Sequence, residues 1–267
     1  MKKAAIYGAF VALFVMNPGA FDLAAQSNEE FDKIFPFIGH WSIFSTNTEG
    51  EDRGNCGGRL GDAGEKALNC SMPVDQLPLN KRGEAWLKFV DQRDSPTIAE
   101  CAEVAVPSLL TSDNFISAVP NRLIIQNADP SGLITRDIWK EGTGPAPRPG
   151  ELFQHGYSTY HLDSNDLVVV TDRFTFDPDG IDDHLHMASS VRKKVTQRYH
   201  LIDPNTLRLI ITLEDPLFLT RPFKYAYIFD KKPGGPNPAL RECDAGVARR
   251  EVIFGYPGNK YDEDDYQ

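Results

Sequence analysis

Long apolar runs are scarce in this chain. The one that stands out, Ala4 to Met16, has 13 residues, and a helix that spans a bilayer needs roughly 20. Multi-pass membrane topology is therefore excluded. Positive charge is also in short supply: 28 Lys and Arg stand against 38 Asp and Glu, for a net charge of −10. Such a surface repels nucleic-acid phosphates and anionic membranes, so neither is expected as a partner. Several catalytic signatures are missing. The chain has no Gly-x-Ser-x-Gly elbow, no phosphate-cradling glycine loop, no dinucleotide fingerprint and no His-Glu-x-x-His. Classical serine hydrolases, nucleotide enzymes and zinc peptidases of that type are set aside accordingly. Cysteines number four, and no two form a Cys-x-x-Cys pair, which argues against the common structural zinc sites.

What is present begins with an export pattern. Lys2-Lys3 precedes the apolar stretch, Asn17-Pro18-Gly19 breaks it, and Ala24-Ala25-Gln26 offers small residues for cleavage. Residues 1–26 thus read as a signal peptide, with periodic consequences for the rest: a periplasmic or secreted protein, and no stable membrane insertion after cleavage. An oxidising compartment makes two disulfides the expectation for Cys56, Cys70, Cys101 and Cys243. The favoured pairs are Cys56–Cys70 and Cys101–Cys243, with the other connectivities open. Closing the loop between Cys56 and Cys70 contributes about 3 kcal/mol in the chain-entropy picture.

From residue 27 to 255 the chain reads as a single β-rich domain, followed by an acidic disordered tail over 256–267. One helix is expected over Leu79–Gln92, capped by Asn80 and carrying Ala85, Trp86, Phe89 and Val90 as an apolar stripe. Strands follow in hairpins: Arg122–Gln126 with Leu133–Trp139, Tyr157–Leu162 with Leu167–Phe176, and Val191–Leu201 with Leu207–Asp215. Pro222–Phe229 adds one more. In the last hairpin, pairing Tyr199 with Leu209 and Gln197 with Ile211 keeps the apolar residues on one face. The same register puts Lys194 opposite Glu214, which gives that carboxylate a structural task. Arg192, Lys193 and Lys194 read as a solvated stretch. Hairpins without alternating helices argue for a mostly β, antiparallel meander closing into a barrel, with a β-sandwich as the alternative.

Some of these runs look familiar. Gly156-Tyr157-Ser158, Ser164 to Thr171, Gln197-Arg198-Tyr199, Glu214-Asp215-Pro216 and Thr220-Arg221-Pro222-Phe223 resemble the pattern of a large family of exported, mostly uncharacterised bacterial proteins. The chain departs from that family at Tyr157, where a His is common, and at Gln197, where a Glu is common. Gly39-His40-Trp41 on a first strand is similar to the opening of lipocalin-like barrels, where the Trp plugs the closed end. Those resemblances imply a secreted β-rich fold of lipocalin-like character and supply no reaction.

Two functional classes follow from a small barrel. In the first it binds a small, largely apolar molecule, with Tyr157, Tyr160, His161 and Trp41 as candidate contacts. In the second it is a lyase, isomerase or cyclase acting on a small organic molecule. The densest cluster of suitable groups, Asp177 to His186, would serve it at the barrel mouth. There His184 or His186 would carry the proton and Asp182 or Asp183 would orient it; in an extended segment Asp182, His184 and His186 share a face. No cofactor is required, and a divalent metal held by His184 and His186 stays as an open alternative. Oligomeric state is not legible.

Overall fold

The Tyr199–Leu209 register forms as the apolar alternation dictates. In a computed structural model of the chain, β9 (Lys194–Asp203) and β10 (Thr206–Glu214) pair Tyr199 with Leu209, Gln197 with Ile211 and Val195 with Leu213. Lys194 faces Glu214 across the ladder, with Nζ 3.9 Å from Oε1. The structure describes residues 29, 31–43, 77–90, 101–129, 132–182 and 186–235. The signal-peptide segment, the acidic tail, and Cys56, Cys70 and Cys243 lie outside them.

The chain divides after Pro36 into two units. In the first, residues 31–34 are helical and Lys33 pairs with Glu29 at 2.8 Å. The second carries a closed barrel of nine strands. In chain order these are β1 (Gly39–Ile43), β2 (Asn114–Val119), β3 (Arg122–Asp129), β4 (Gly132–Lys140), β5 (Tyr157–Asp163), β6 (Asp166–Asp172), β9, β10 and β11 (Phe223–Lys232). Around the barrel the order is β1-β11-β10-β9-β6-β5-β4-β3-β2, closed by β1 pairing with both β2 and β11. A mostly β fold with a closed barrel is consistent with lipocalin-like architecture, and the sandwich alternative falls. Closure also removes the free edges that an open sheet of this size would expose.

Alternation fills the interior. Val195, Tyr199, Leu209, Ile211, Leu213, Ile125 and Ile138 are sealed from solvent, while their strand neighbours are exposed or half-buried. Trp41 is fully buried, and its Nε1 donates to Phe37 O at 2.7 Å. The strands are longer than the β-rich runs suggested: β3 and β4 extend to Asp129 and from Gly132, so the turn between them is tight. β2 was not among the expected strands; its Phe115 and Ile116 pair with β3 and β1.

Outside the barrel ladder a small sheet and the helix pack together as a unit called the cap. The strands β7 (Asp177–Asp182) and β8 (Met187–Ser189) form a separate two-stranded sheet inserted between β6 and β9. The helix α1 (Lys81–Phe89) starts at Asn80, whose side chain accepts from the Arg82 and Gly83 amides, as expected of an N-cap. Trp86 joins α1 to β8: its Nε1 donates to His186 O at 2.8 Å, and its ring meets Phe176 and Phe218 edge-on. Gly83 sits so close to Phe218 that an added Cβ would lie 2.7 Å from the Phe218 carbonyl oxygen. A side chain there would push the helix off the cap.

Candidate functional site

The barrel wall has one irregular seam. β4 pairs with β3 along its whole length but with β5 only from Ile138 to Lys140, and that pairing is parallel. This departs from an all-antiparallel meander. A parallel neighbour requires a crossover, so the chain from Glu141 to Gly156 must return along the barrel before β5 begins. Pro145, Pro147 and Pro149 stiffen this strap. It is tied down where Glu141 N donates to Tyr160 O at 2.9 Å and Tyr157 OH donates to Pro145 O at 3.0 Å. Phe153 N donates to Arg173 O at 2.8 Å, beside an isolated bridge between Phe153 and Phe174.

Between the strap and the unpaired half of β4 lies a cavity of about 430 Å³, within the size range of small-molecule sites. Trp139, Pro147, Phe153 and Tyr157 give it apolar walls, and Thr135, Arg136, Asp137, Glu151, His155 and Ser158 give it polar ones. Gly156, also at the cavity, has φ +72°, and an added Cβ would lie 2.5 Å from Thr171 Cγ2 and 2.8 Å from Asp172 O. Only glycine suits both the backbone and the space. Two residues on, Ser158 Oγ and Thr171 Oγ1 share a buried hydrogen bond of 2.9 Å. The Gly156-Tyr157-Ser158 and Val170-Thr171 runs thus meet here.

Arg136 is the group that sequence reasoning missed. It points inward from β4 between Ile134 and Ile138 and is 3% exposed. Its Nη1 donates to Gln197 Oε1 at 3.3 Å, and Gln197 Nε2 donates to Tyr199 OH at 3.3 Å. Its Nε and Nη2 are buried with no acceptor among the described residues. Burial holds the guanidinium below its ordinary pKa, partly offset by Tyr199, and pushes the Tyr199 phenol up. Arginine does not give up its proton in proteins, so the charge stays.

The Asp177–His186 segment is built differently from the extended face expected for it. Asp182 pairs with Met187 across the antiparallel β7–β8 ladder, and His186 sits in the left-handed region at φ 51°. Asp182 and His186 therefore do not share one face of a single strand. Asp183 and His184 lie outside the described residues. The carboxylate beside His186 is Asp179, with Oδ1 3.1 Å from His186 Nδ1, and both side chains are buried. Neither lines the seam cavity. No group of three or more His, Cys, Asp or Glu stands in metal-binding range among the described residues.

Of the remaining candidates, Tyr157 lines the cavity, Tyr160 is buried in the wall, and Trp41 is buried away from the cavity. His161 points outward, with Nδ1 3.7 Å from Glu141 Oε2.

Lys193 corrects the expectation of a solvated basic run. Arg192 and Lys194 are exposed, but Lys193 is 1% exposed. Its Nζ donates to Val106 O at 2.8 Å and Gly180 O at 2.7 Å, and it stands 4.2 Å from the centre of the Phe174 ring. Burial pulls its pKa down to about 8, against smaller opposing pulls from Asp177 and Asp215. Because the folded value lies below the unfolded one, the charged form is disfavoured in the fold. The resulting penalty is fully present below pH 8 and fades as pH rises towards the unfolded pKa of about 10.4. Relative to Lys193→Met, the native protein should gain about 2 kcal/mol between pH 7 and pH 9.5. Urea unfolding of both proteins at the two pH values checks this; a difference that stays constant with pH would contradict it.

No family model matches this chain, and no curated protein does. No helix among the described residues is long and apolar enough to cross a membrane.

Proposed function

We propose that this barrel binds a small, largely apolar molecule in the seam cavity between β4, β5 and the proline-rich strap. The observation that carries this reading is the cavity itself: about 430 Å³ lined by aromatic and proline side chains where the β4–β5 ladder parts. Apolar walls supply affinity, and the polar groups beside them supply orientation. Export to a periplasmic or extracellular compartment belongs to the same reading. It is supported by the basic, apolar and small-residue order of the first 26 positions and by the engagement of Cys101 in a disulfide. We pair Cys101 with Cys243 and Cys56 with Cys70 on this reading.

The test is a titration with N-phenyl-1-naphthylamine, an uncharged dye that fluoresces in apolar sites. Saturable binding of one dye per chain is expected, and Ala146→Trp, which fills the cavity, should weaken it by at least tenfold. Unsaturable binding, or binding indifferent to that substitution, would overturn the proposal.

The buried His186–Asp179 pair favours a second reading, acid–base chemistry on a small organic molecule, with His186 carrying the proton and Asp179 orienting it. Under the binding reading, His186→Ala leaves dye affinity unchanged.

A further inference from the structure

We propose that the outer face of α1, with the turns packed beside it, is a docking surface for an anionic lipid bilayer of the phosphatidylglycerol type, on which the protein rests without spanning it. The surface is separate from the seam cavity. The helical period sorts α1 into two faces. Lys81, Arg82, Ala85, Lys88 and Phe89 fall at i, i+1, i+4, i+7 and i+8, within about a third of the circumference, and all five are exposed. Gly83 and Trp86 lie on the other side, where they hold the helix against Phe218. Phe89 takes no part in that packing. It is 78% exposed, and Lys88 Nζ stands 5.5 Å from its ring centre.

Two neighbouring segments extend the face. Asn80 N donates to Phe218 O and Thr220 N to Pro78 O, which brings Arg221 beside the start of the helix. Ser190 N donates to Asp215 Oδ2, so Val191 and Arg192 follow at the same turn. Phe176, 50% exposed, meets Trp86 edge-on. Across residues 77–90, 190–192 and 215–222 the exposed charges are Lys81, Arg82, Lys88, Arg192 and Arg221 against Glu84 alone, because Asp215 is buried. Net charge taken over the whole chain, −10, points away from an anionic surface. Here the balance is locally reversed, and a local field governs contact because salt screens charges beyond about 8–10 Å.

A lipid surface fits this face better than a protein partner does. Five cations would require a protein to present carboxylates at fixed positions, whereas lipid headgroups rearrange to meet them. Each Lys or Arg at an anionic leaflet strengthens binding about fivefold. Phe89, Phe176 and Val191 among those cations match a contact in which apolar groups enter the headgroup layer while charges stay at the phosphates.

Cosedimentation with vesicles tests the proposal on the full mature chain. The native protein should bind phosphatidylcholine vesicles containing about one-third phosphatidylglycerol at least tenfold more tightly than phosphatidylcholine alone. Raising NaCl from about 0.05 M to about 0.3 M should weaken that binding at least fivefold. Lys81→Gln with Lys88→Gln should cost about tenfold or more, and Phe89→Ser about fivefold. The comparison pair is Lys140→Gln with Lys232→Gln, which changes net charge equally. Both lysines end strands that run away from the 215–222 turn, since four successive antiparallel pairings relate β11 to β4. That pair should retain binding within about twofold.

Equal binding to the two vesicle types, or binding to neither, would overturn the proposal, and these measurements need no variant. Equal losses in the two lysine pairs, or indifference to Phe89→Ser, would overturn this face as the contact. Retention on polyglutamate beads without vesicle binding would assign the face to an acidic protein and overturn the lipid assignment. Near-UV circular dichroism reports that each variant is folded.

Discussion

Asp215→Ala is expected to cost about 3–5 kcal/mol of stability, because three buried donors lose their acceptor at once. Asp215 is 1% exposed, and its carboxylate accepts from Ser190 N at 2.6 Å, Ser190 Oγ at 2.7 Å and Leu217 N at 3.1 Å. Its backbone carbonyl also accepts from Phe218 N and Leu219 N. One residue therefore ties the entry to β9 to the turn after β10. The alanine variant keeps the backbone bonds but leaves buried donors on Ser190 and Leu217 without an acceptor, each at about 1–3 kcal/mol. Asp215→Asn restores one acceptor oxygen and should recover part of the loss. Urea unfolding at pH 7 measures it; a loss below about 1 kcal/mol would show that the cap does not depend on this carboxylate.

Trp41→Ala should cost a similar 3–5 kcal/mol, the range for deleting a large buried aromatic. The indole is fully buried on β1, donates to Phe37 O and lies beneath Lys231, whose Nζ stands 5.0 Å from the ring centre. Truncation opens a cavity, frees the Phe37 carbonyl and removes the ring under the ammonium. Trp41 carries two expected tasks, the plug that the resemblance to lipocalin-like barrels implies and a ligand contact in the binding reading. Its full burial away from the seam cavity favours the first. Trp41→Phe should then retain native affinity for N-phenyl-1-naphthylamine. A clear loss of dye binding in a folded Trp41→Phe protein would return Trp41 to the site.

Much of the barrel was legible because the side-chain period of a strand is 2. The Tyr199–Leu209 register follows from that alternation alone, as does the cross-strand Lys194–Glu214 pair. Asn80 was legible as a cap because an Asn before an apolar stripe has a local task that needs no tertiary information. The parallel β4–β5 seam was not. A proline-rich connection between two strands reads as a long hairpin loop or a linker, and only three-dimensional closure makes it a strap.

The ionisable groups were harder. Period 2 puts Asp182 and His186 on one extended face, but Asp182 pairs with Met187 on the neighbouring strand and His186 has a left-handed conformation that its sequence does not announce. Lys193 lies between two exposed cations, so its burial depends on the carbonyls of Val106 and Gly180, which are remote in sequence. Arg136 did leave a signal. In Ile134-Thr135-Arg136-Asp137-Ile138 the arginine shares the face of two core isoleucines. A charge in a core position is the kind of local inconsistency that functional sites produce.

The central claim is that the seam between β4 and β5 is where a ligand sits. Amide hydrogen exchange of the native protein, with and without saturating N-phenyl-1-naphthylamine, tests it most directly. Slowed exchange in the strap over 141–156, together with β4 and the start of β5, is the result this account requires. Protection confined to the cap over 177–193, or no protection anywhere, would contradict it.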